Sequence, residues 1–417
     1  MRIFYAKNIA LSMLTLGSLV FTANAQEAPK YRRSALSMIR IDGKFATPND
    51  DQVDQAWNSY PFPDKYDKLD IKVTLSNPAK KEFDGTEVAK DLLFAKDDSV
   101  AQALIAQLAA QGVGERMVKE WYNYDEGRKT VNMSTIQRAG CYDASEMDKM
   151  IAQSQARGTA SLGDAGIQLI GNSYVVCSQL TFVSNEFAAA LVEAAALSKA
   201  ASIKMPAAQQ AAVKGAQAAY EEGKNGYSVW TKTWLFRLDW NDATRKAFED
   251  KFDWNGTTGT LKAGATIDPA MFSLKYVGMS KANNLVVGLG QDAATIINKA
   301  VARNVDKVYA QLQKTYDEFK PMTPVLSNDP QIVAQIGMKE GLEGGEKFDV
   351  LEQNLDMQTG TITYKKVGSV KVDKKNVWDN RYAAGSEADN AAASLKGTVF
   401  LGKAKKVYPG LLLKQAK

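Results

Sequence analysis

The most regular pattern of apolar and polar residues in the chain lies between Tyr227 and Trp240. The bulky apolar residues that share one parity are Trp230, Trp234, Phe236, Leu238 and Trp240. Only Lys232 interrupts this apolar face, and threonines, Arg237 and Asp239 occupy the other parity. Because side chains alternate between the two faces of a strand, the pattern predicts a long β-strand with one face in the core.

A period close to 3.6 residues predicts the longest helix, from about Asp292 to Phe319. Its apolar stripe consists of Ala293, Ile297, Val301, Val305, Val308, Leu312, Tyr316 and Phe319. Lys299, Arg303 and Lys307 lie mostly off the stripe. We interpret them as a solvent-facing side rather than a surface for nucleic acid or anionic lipid.

Two alanine-rich helices, Glu186–Ile203 and Pro206–Glu222, are predicted within an insertion at 184–226. Alanine favours helix but buries little area, so the pair packs closely or forms a weak interface. Its charged residues argue against a membrane-spanning hairpin. Two interpretations stay open: a helical pair that covers a sheet face, or an arm that docks a partner.

Shorter elements complete a predicted α/β domain at 65–320. The predicted helices are Val100–Gln111, Glu146–Gln155 and Ala243–Asp250, and the predicted strands are Ile71–Leu75, Met117–Tyr124, Ala165–Val183, Phe272–Val277 and Asn284–Val287. Residues 26–64 contain prolines and the acidic cluster Asp50, Asp51 and Asp54, and are predicted to form an irregular extension. The cluster lacks calcium-loop spacing, which favours a solvated turn.

A proline-marked linker is predicted at 321–330, and beyond it the chain changes to short apolar segments with glycine-rich turns. The strands predicted there are Ile332–Ile336, Phe348–Leu351, Thr361–Tyr364, Ser369–Val372, Val399–Leu401 and Leu411–Leu413. Segments of this length predict a small β-barrel at 331–417 with a loop inserted at 383–393. The predicted fold class is α+β: an α/β sandwich domain with an alanine-rich helical insertion, followed by a small C-terminal β-barrel.

The N-terminus has the layout of a cleaved secretory signal at 1–25. Arg2 and Lys7 precede the apolar run Ile9 to Phe21, and Ala23-Asn24-Ala25 forms a small-x-small cleavage site. No later segment carries the ~18 apolar residues of a membrane helix. We therefore expect an exported protein without a transmembrane helix, in the periplasm or at the cell surface.

Composition excludes several classes of function. The chain has 417 residues, 45% hydrophobic and 24% charged, and a formal net charge of +5, which is too mild to indicate nucleic-acid binding. Histidine is absent. This excludes Ser-His-Asp and Cys-His hydrolysis, histidine-containing zinc sites and any imidazole acid or base, and we predict neither a metal site nor a cofactor.

Cys141 and Cys177 are the two cysteines of the chain. In an oxidising compartment an even pair favours a disulfide. The alternative is two separate buried thiols, since Cys177 lies in an apolar segment where a free cysteine packs well. The sequence leaves both open.

Two motifs resemble parts of known functional sites, one for dinucleotide binding and one for glycan hydrolysis. Neither leads us to assign catalytic residues. Gly288 to Ala293 matches G-x-G-x-x-A between a strand and a helix, but no second strand with its acidic residue follows, which favours a glycine turn over a dinucleotide site. Asp239 and Asp242 offer carboxylates for glycan hydrolysis near the tryptophans of the long strand. Asp239 alternates off the apolar face of the strand, Asp242 is expected to cap the following helix, and the tryptophans are expected in the core.

Three resemblances follow from particular stretches. Arg138 to Asp143, Leu169 to Val176 and Phe236 to Asp242 resemble the α/β domain of curli-type secretion-channel and Tol-system translocation proteins. Stretches 337–342, 345–351 and 367–372 resemble the small β-barrel of flagellar outer-ring assembly proteins. Word for word, the chain most resembles an uncharacterised family of secreted Bacteroidetes envelope proteins, through Ala165-Gly166-Ile167-Gln168-Leu169-Ile170-Gly171-Asn172, Trp378-Asp379-Asn380-Arg381-Tyr382 and Tyr408-Pro409-Gly410-Leu411-Leu412-Leu413.

These resemblances imply a non-catalytic envelope protein that binds other envelope proteins or cell-wall material. The alternatives are a carboxylate-based glycan hydrolase and, behind it, a nucleotide-binding protein. A solvent-open cavity into which several acidic groups converge would argue against the first hypothesis.

Overall fold

The structure is a computed structural model that describes residues 31–416 apart from 33, 46, 48–49, 78–79, 95–97, 143–165, 225–226, 287–291, 357–360, 388–389 and 404–405. The predicted signal peptide at 1–25 and the predicted helix Glu146–Gln155 therefore lie outside the described residues.

Strands and helices alternate in the first two thirds of the chain, and strands dominate the last third. The strands are β1 (Ala35–Arg40), β2 (Asp67–Lys68), β3 (Thr130–Asn132), β4 (Ser173–Ser184), β5 (Tyr227–Leu238), β6 (Phe252–Asn255), β7 (Thr258–Leu261), β8 (Leu274–Val286), β9 (Thr323–Ser327), β10 (Ile332–Ala334), β11 (Lys347–Leu355), β12 (Ile362–Val372), β13 (Thr398–Leu401) and β14 (Leu412–Gln415). The helices are α1 (Asp50–Asn58), α2 (Gly85–Phe94), α3 (Asp98–Ala110), α4 (Val113–Trp121), α5 (Ser134–Tyr142), α6 (Asn185–Ala201), α7 (Pro206–Gly223), α8 (Asp242–Glu249) and α9 (Ala293–Thr315).

A five-stranded sheet of order β2-β1-β4-β5-β8 forms the centre of the α/β module. β1 is parallel to β2 and β4, whereas β5 is antiparallel to both β4 and β8. Helices α1 and α9 cover one face, and α3, α4 and α5 cover the other. The predicted α/β sandwich is confirmed.

The long predicted strand is confirmed as β5, and both of its faces are buried. Trp234 and Phe236 pack toward α3 and α4, while Val229 and Leu235 pack toward α9. The polar parity is therefore not solvated: Asn304 of α9 donates hydrogen bonds to the Val229 carbonyl at 2.8 Å and to Thr231 Oγ1 at 2.7 Å. The Asn304 amide nitrogen thus supplies donors to polar groups of this face beneath the helix.

The second module is a closed six-stranded barrel of order β10-β13-β12-β11-β14-β9, which confirms the predicted small β-barrel. Its core includes Val325, Phe348, Val350 and Phe400. The two strands predicted at Thr361–Tyr364 and Ser369–Val372 are parts of the single strand β12. The predicted linker at 321–330 is wrong, because β9 lies within it and pairs with both β10 and β14. Its buried Thr323 and Val325 alternate with partly exposed positions between the prolines.

The prediction of an irregular extension at 26–64 is wrong over the described part of that range. β1 lies inside the central sheet and α1 packs on α9. The acidic cluster is not a solvated turn: Arg40 binds Asp50 at 2.6 Å and also binds Asp54. A buried strand of six residues shows no alternation, so its pattern resembled a loop.

The predicted strands Met117–Tyr124 and Ile71–Leu75 are wrong. Residues 113–121 form α4, whose buried Val113, Met117 and Trp121 recur at helical spacing. Residues 69–74 contain no strand, and Leu75 makes only an isolated bridge to Ile41.

Two further predictions differ in their boundaries. Residues 166–170 are helical, and the strand predicted from Ala165 begins only at Ser173. The two short strands predicted at Phe272–Val277 and Asn284–Val287 are parts of the single long strand β8.

The two alanine-rich helices are confirmed as α6 and α7, which we call the helical arm. The arm packs mainly on itself and, at its base, on α2, where the rings of Phe187 and Phe83 meet at 6.4 Å. A Cβ added to Gly85 would lie 2.4 Å from the Phe187 ring, so a larger residue there would require the ring to move. The arm does not form the expected cover of a sheet face.

Candidate functional site

The α/β module and the barrel meet at a cavity of about 350 Å³, which we call the junction cavity. Asp64 and Lys65 of the α/β module form one wall, and barrel loops at 335–340 and 378–393 form the others. The stretches 337–342 and 378–382, singled out in the sequence, thus come together in one place. The volume suits a small ligand.

A tight backbone approach shapes the cavity floor. A Cβ on Gly337 would lie 2.3 Å from the Trp378 carbonyl, so glycine is required there. Glu340 accepts hydrogen bonds from the Gly337 amide at 2.8 Å and from Asn380 Nδ2 at 2.9 Å. Asn380 in turn accepts from the Lys339 amide at 2.8 Å. These bonds fix the one-turn 3₁₀ helix Met338–Glu340 against the second loop.

Asp379 holds the second loop in its conformation. Its carboxylate accepts from Arg381 Nε at 2.8 Å, from Arg381 Nη2 at 2.7 Å and from Asn390 Nδ2 at 2.8 Å. The hydrogen bonds from Arg381 hold the pKa of Asp379 well below its usual range, although burial opposes the shift. Asp379 is therefore a permanently ionised structural anchor.

The lysine side chains of the cavity make fewer hydrogen bonds and ion pairs than Glu340 and Asp379 do. Lys65 donates to the Gln335 carbonyl at 2.6 Å, which ties the two modules together. Neither Lys65 nor Lys339 forms an ion pair with an acid in the part of the chain that the structure describes. The cavity thus offers cationic donors with unused hydrogen-bonding capacity beside two carboxylates that the surrounding loops engage.

A buried carboxylate lies behind the cavity. Asp306 of α9 is 4% exposed and accepts a hydrogen bond from Tyr60 Oη at 2.6 Å. Burial raises the pKa of Asp306 to about 6, against opposing effects of Lys339 and of the Tyr60 hydrogen bond. Sequence reasoning did not identify this group. A lone acid beside the apolar stripe of the helix was the available signal.

A second cavity of about 200 Å³ lies at the same junction and contains ion pairs. Arg237 binds Glu318 at 2.5 Å and donates from Nε to the Gly171 carbonyl at 2.7 Å. Asp317 binds Lys414 of the barrel at 3.2 Å. These contacts connect the sheet to the barrel, and we assign them a structural role.

Lys232, the interruption in the apolar strand, belongs to a buried charge cluster. Its Nζ lies 2.9 Å from Asp91 Oδ2, and Lys44 binds the other oxygen of the same carboxylate. Lys232 and Asp91 side chains are 4% and 5% exposed. Burial alone would raise the pKa of Asp91, but hydrogen bonds from Lys44 and Lys232 hold it below its ordinary value. The cluster fixes α2 on the sheet.

Cys177 is a free buried thiol in β4. Its strand neighbours are Ile39 and Trp234, and burial raises the pKa of its thiol. The side chain of Cys141 lies outside the described residues. The structure therefore shows Cys177 as a free buried thiol, as in the second of the two interpretations above.

This state predicts slow thiol chemistry. In a Cys141→Ser variant, Cys177 should react negligibly with a thiol reagent in native buffer and fully in denaturant, because buried thiols in apolar surroundings are inert. Absorbance of the released reporter measures both rates. Rapid labelling of the native variant would contradict the assigned burial.

The tryptophans proposed for a glycan cleft pack into hydrophobic clusters. Trp234 is fully buried, Trp240 packs in the same cluster, and Trp230 packs against a separate one. Asp239 binds Lys275 at 2.8 Å. Asp242 is not the helix cap that we expected, since Asn241 accepts the Thr244 amide and Asp242 lies in the first turn. The structure does not bring these residues together in a cleft.

The glycine-rich motif lies mostly outside the described residues, which resume at Asp292. Asp292 caps α9 by accepting from the Thr295 amide at 2.9 Å and from Thr295 Oγ1 at 2.6 Å. A carboxylate therefore occupies the helix N-terminus where a phosphate would bind.

The described residues hold neither a metal-binding cluster nor a membrane-spanning helix. No group of three or more cysteine, aspartate or glutamate side chains among them could hold a metal ion. None of the helices within the described ranges is both long and apolar enough to cross a membrane.

Comparison with known proteins gives no relative. No protein-family model matches the chain, and no curated protein matches it significantly. The three resemblances stay predictions.

Proposed function

We propose that this protein is a non-catalytic exported component of the cell envelope, in the periplasm or at the cell surface. Its partners in this proposal are envelope proteins or cell-wall material. The signal-peptide pattern at 1–25 supports export, and the lack of histidine narrows the available chemistry. A cavity walled by both modules supports binding.

The state of the cavity carboxylates carries this proposal. Glu340 and Asp379 each accept at least two hydrogen bonds from the surrounding loops, so both already serve the scaffold. Glycan hydrolysis by carboxylates needs one group as acid and a second as base or nucleophile. Among the carboxylates that line the cavity, Asp64 is the exposed one, and a single carboxylate cannot fill both roles.

One observation favours the alternative of a carboxylate-based glycan hydrolase. Asp64, Glu340 and Asp379 line a single cavity together with Trp378, which could stack on a sugar. This convergence is the feature that would argue against a purely binding role. Release of reducing ends from cell-wall glycan, abolished in Asp64→Asn, would establish the hydrolase; the binding proposal predicts no release above background.

Photo-crosslinking in intact cells tests the binding proposal. A benzoylphenylalanine at position 382, beside the cavity, should form a covalent adduct with an envelope component that mass spectrometry identifies. Tyr382 is 37% exposed, so the replacement is expected to fold. Met205, 67% exposed at the turn of the helical arm, is the control position.

Adducts from position 205 alone would indicate that the partner contacts the helical arm rather than the junction cavity. Absence of adducts from both positions, with the protein present and folded, would contradict the binding proposal altogether.

A further inference from the structure

The hydrogen-bond donors left free in the junction cavity are cationic. Lys65 uses its Nζ on a carbonyl, and Lys339 Nζ makes no hydrogen bond or ion pair with any residue in the described ranges. Arg381 binds Asp379 through Nε and Nη2, which leaves Nη1 for another acceptor. Its side chain is 37% exposed.

Two of the three carboxylates that line the same cavity already accept hydrogen bonds from the protein. Asp379 accepts from Arg381 and Asn390, and Glu340 accepts from Gly337 and Asn380. A cationic ligand would find the exposed Asp64 and Glu340 Oε1, which accepts neither of the two bonds to Glu340. An anionic ligand would find donors on three sides.

The remaining lining includes the large apolar residue Trp378 and three small ones, Ala383, Ala384 and Ala393. A wall of this kind accommodates a compact apolar body next to a polar head group.

We infer that the junction cavity is a binding site for a small carboxylate ligand with a compact apolar body. The carboxylate would accept hydrogen bonds from Lys65, Lys339 and Arg381, and the body would pack on Trp378. This inference rests on the proposed binding function and specifies its ligand. Charge-assisted hydrogen bonds to planar carboxylates are the strong polar contacts that such donors provide.

A ligand in this position would link the two modules. Lys65 belongs to the α/β module, whereas Lys339 and Arg381 belong to barrel loops. Binding to the folded, docked state alone stabilises that state, so the ligand should also strengthen the junction.

Calorimetric titration of the full chain with matched acids and amides tests the inference. The probes are benzoate against benzamide, and N-acetyl-alanyl-alanine against its C-terminal amide. At least one acid should bind about tenfold or more tightly than its neutral partner. Benzoate binding indicates a free organic acid, and binding of the dipeptide acid alone indicates a peptide chain end.

Lys339→Gln and Lys65→Gln should each weaken acid binding about tenfold and leave the weak binding of the amide unchanged. Lys204→Gln, an exposed change in the helical arm, should have no effect. The inference would be overturned if acid and amide bound equally well. It would also be overturned if neither lysine variant weakened the binding of the acid.

The outcomes separate this inference from the proposed function. Failure of all acids to bind, with crosslinking from position 382 intact, overturns the ligand class alone. Binding of an acid followed by its chemical conversion overturns the non-catalytic proposal instead.

Discussion

Replacing Asp91 by alanine is expected to lower the free energy of unfolding by about 3–5 kcal/mol. Asp91 Oδ2 lies 2.9 Å from Lys232 Nζ, and both side chains are almost fully buried. Alanine would take a carboxylate partner away from a buried ammonium group. Lys44 can turn to water because it is 25% exposed, but Lys232 cannot. Denaturant unfolding followed by tryptophan fluorescence measures the change.

A double variant provides the test of this cause. Asp91→Leu combined with Lys232→Met removes both buried charges and should recover most of the lost stability, since apolar pairs of similar volume replace buried ion pairs well. Asp242→Ala is the matched control, because its side chain is 97% exposed. A double variant as unstable as Asp91→Ala would show that the lost free energy of unfolding comes from packing rather than from the buried charge.

The second large effect is expected at Asp306. Its pKa of about 6 lies above the ordinary value of 3.8, so the folded protein binds the proton more tightly than the unfolded chain. The stabilising contribution of Asp306 to the free energy of unfolding is therefore greatest below pH 4, and it is lost as the pH rises through about 6. Asp306→Asn should remove that slope and raise stability at pH 7.5 by ~2–3 kcal/mol.

The surroundings of Asp306 define the measurement. Tyr60, Tyr309, Lys339, Glu340 and Arg303 are the titratable groups that act on it or share its site. Asparagine keeps an oxygen to accept the Tyr60 hydrogen bond, so the variant removes the charge alone. Denaturant titrations at pH 5, 6 and 7.5, with Asp242→Asn as control, give the slope. An unchanged slope in Asp306→Asn would contradict the burial argument.

The fold was predictable where one period dominated a long segment. β5, the helical arm, α9 and most barrel strands have clear patterns and were found close to their observed bounds. β1 and α1 were missed because six doubly buried residues do not alternate and because three aspartates resembled a solvated turn. α4 was missed because Trp121, Tyr122 and Tyr124 favour strands by propensity, while tertiary packing selected the helix.

The candidate site was not predictable as a site. Asp64 and Lys65, the loop at 335–340 and the loop at 378–393 are far apart in the chain, and only the docking of the barrel on the α/β module brings them together. Local signals existed in the glycine at 337 and in the stretch 378–382. Neither indicates a partner without the tertiary structure.

Native mass spectrometry after incubation with envelope extract tests the central claim most directly. Because the cavity carboxylates serve the scaffold, the protein should retain an envelope component and release it with unchanged mass. A shortened or otherwise converted product, or a protein that leaves the extract without any bound component, would contradict the account.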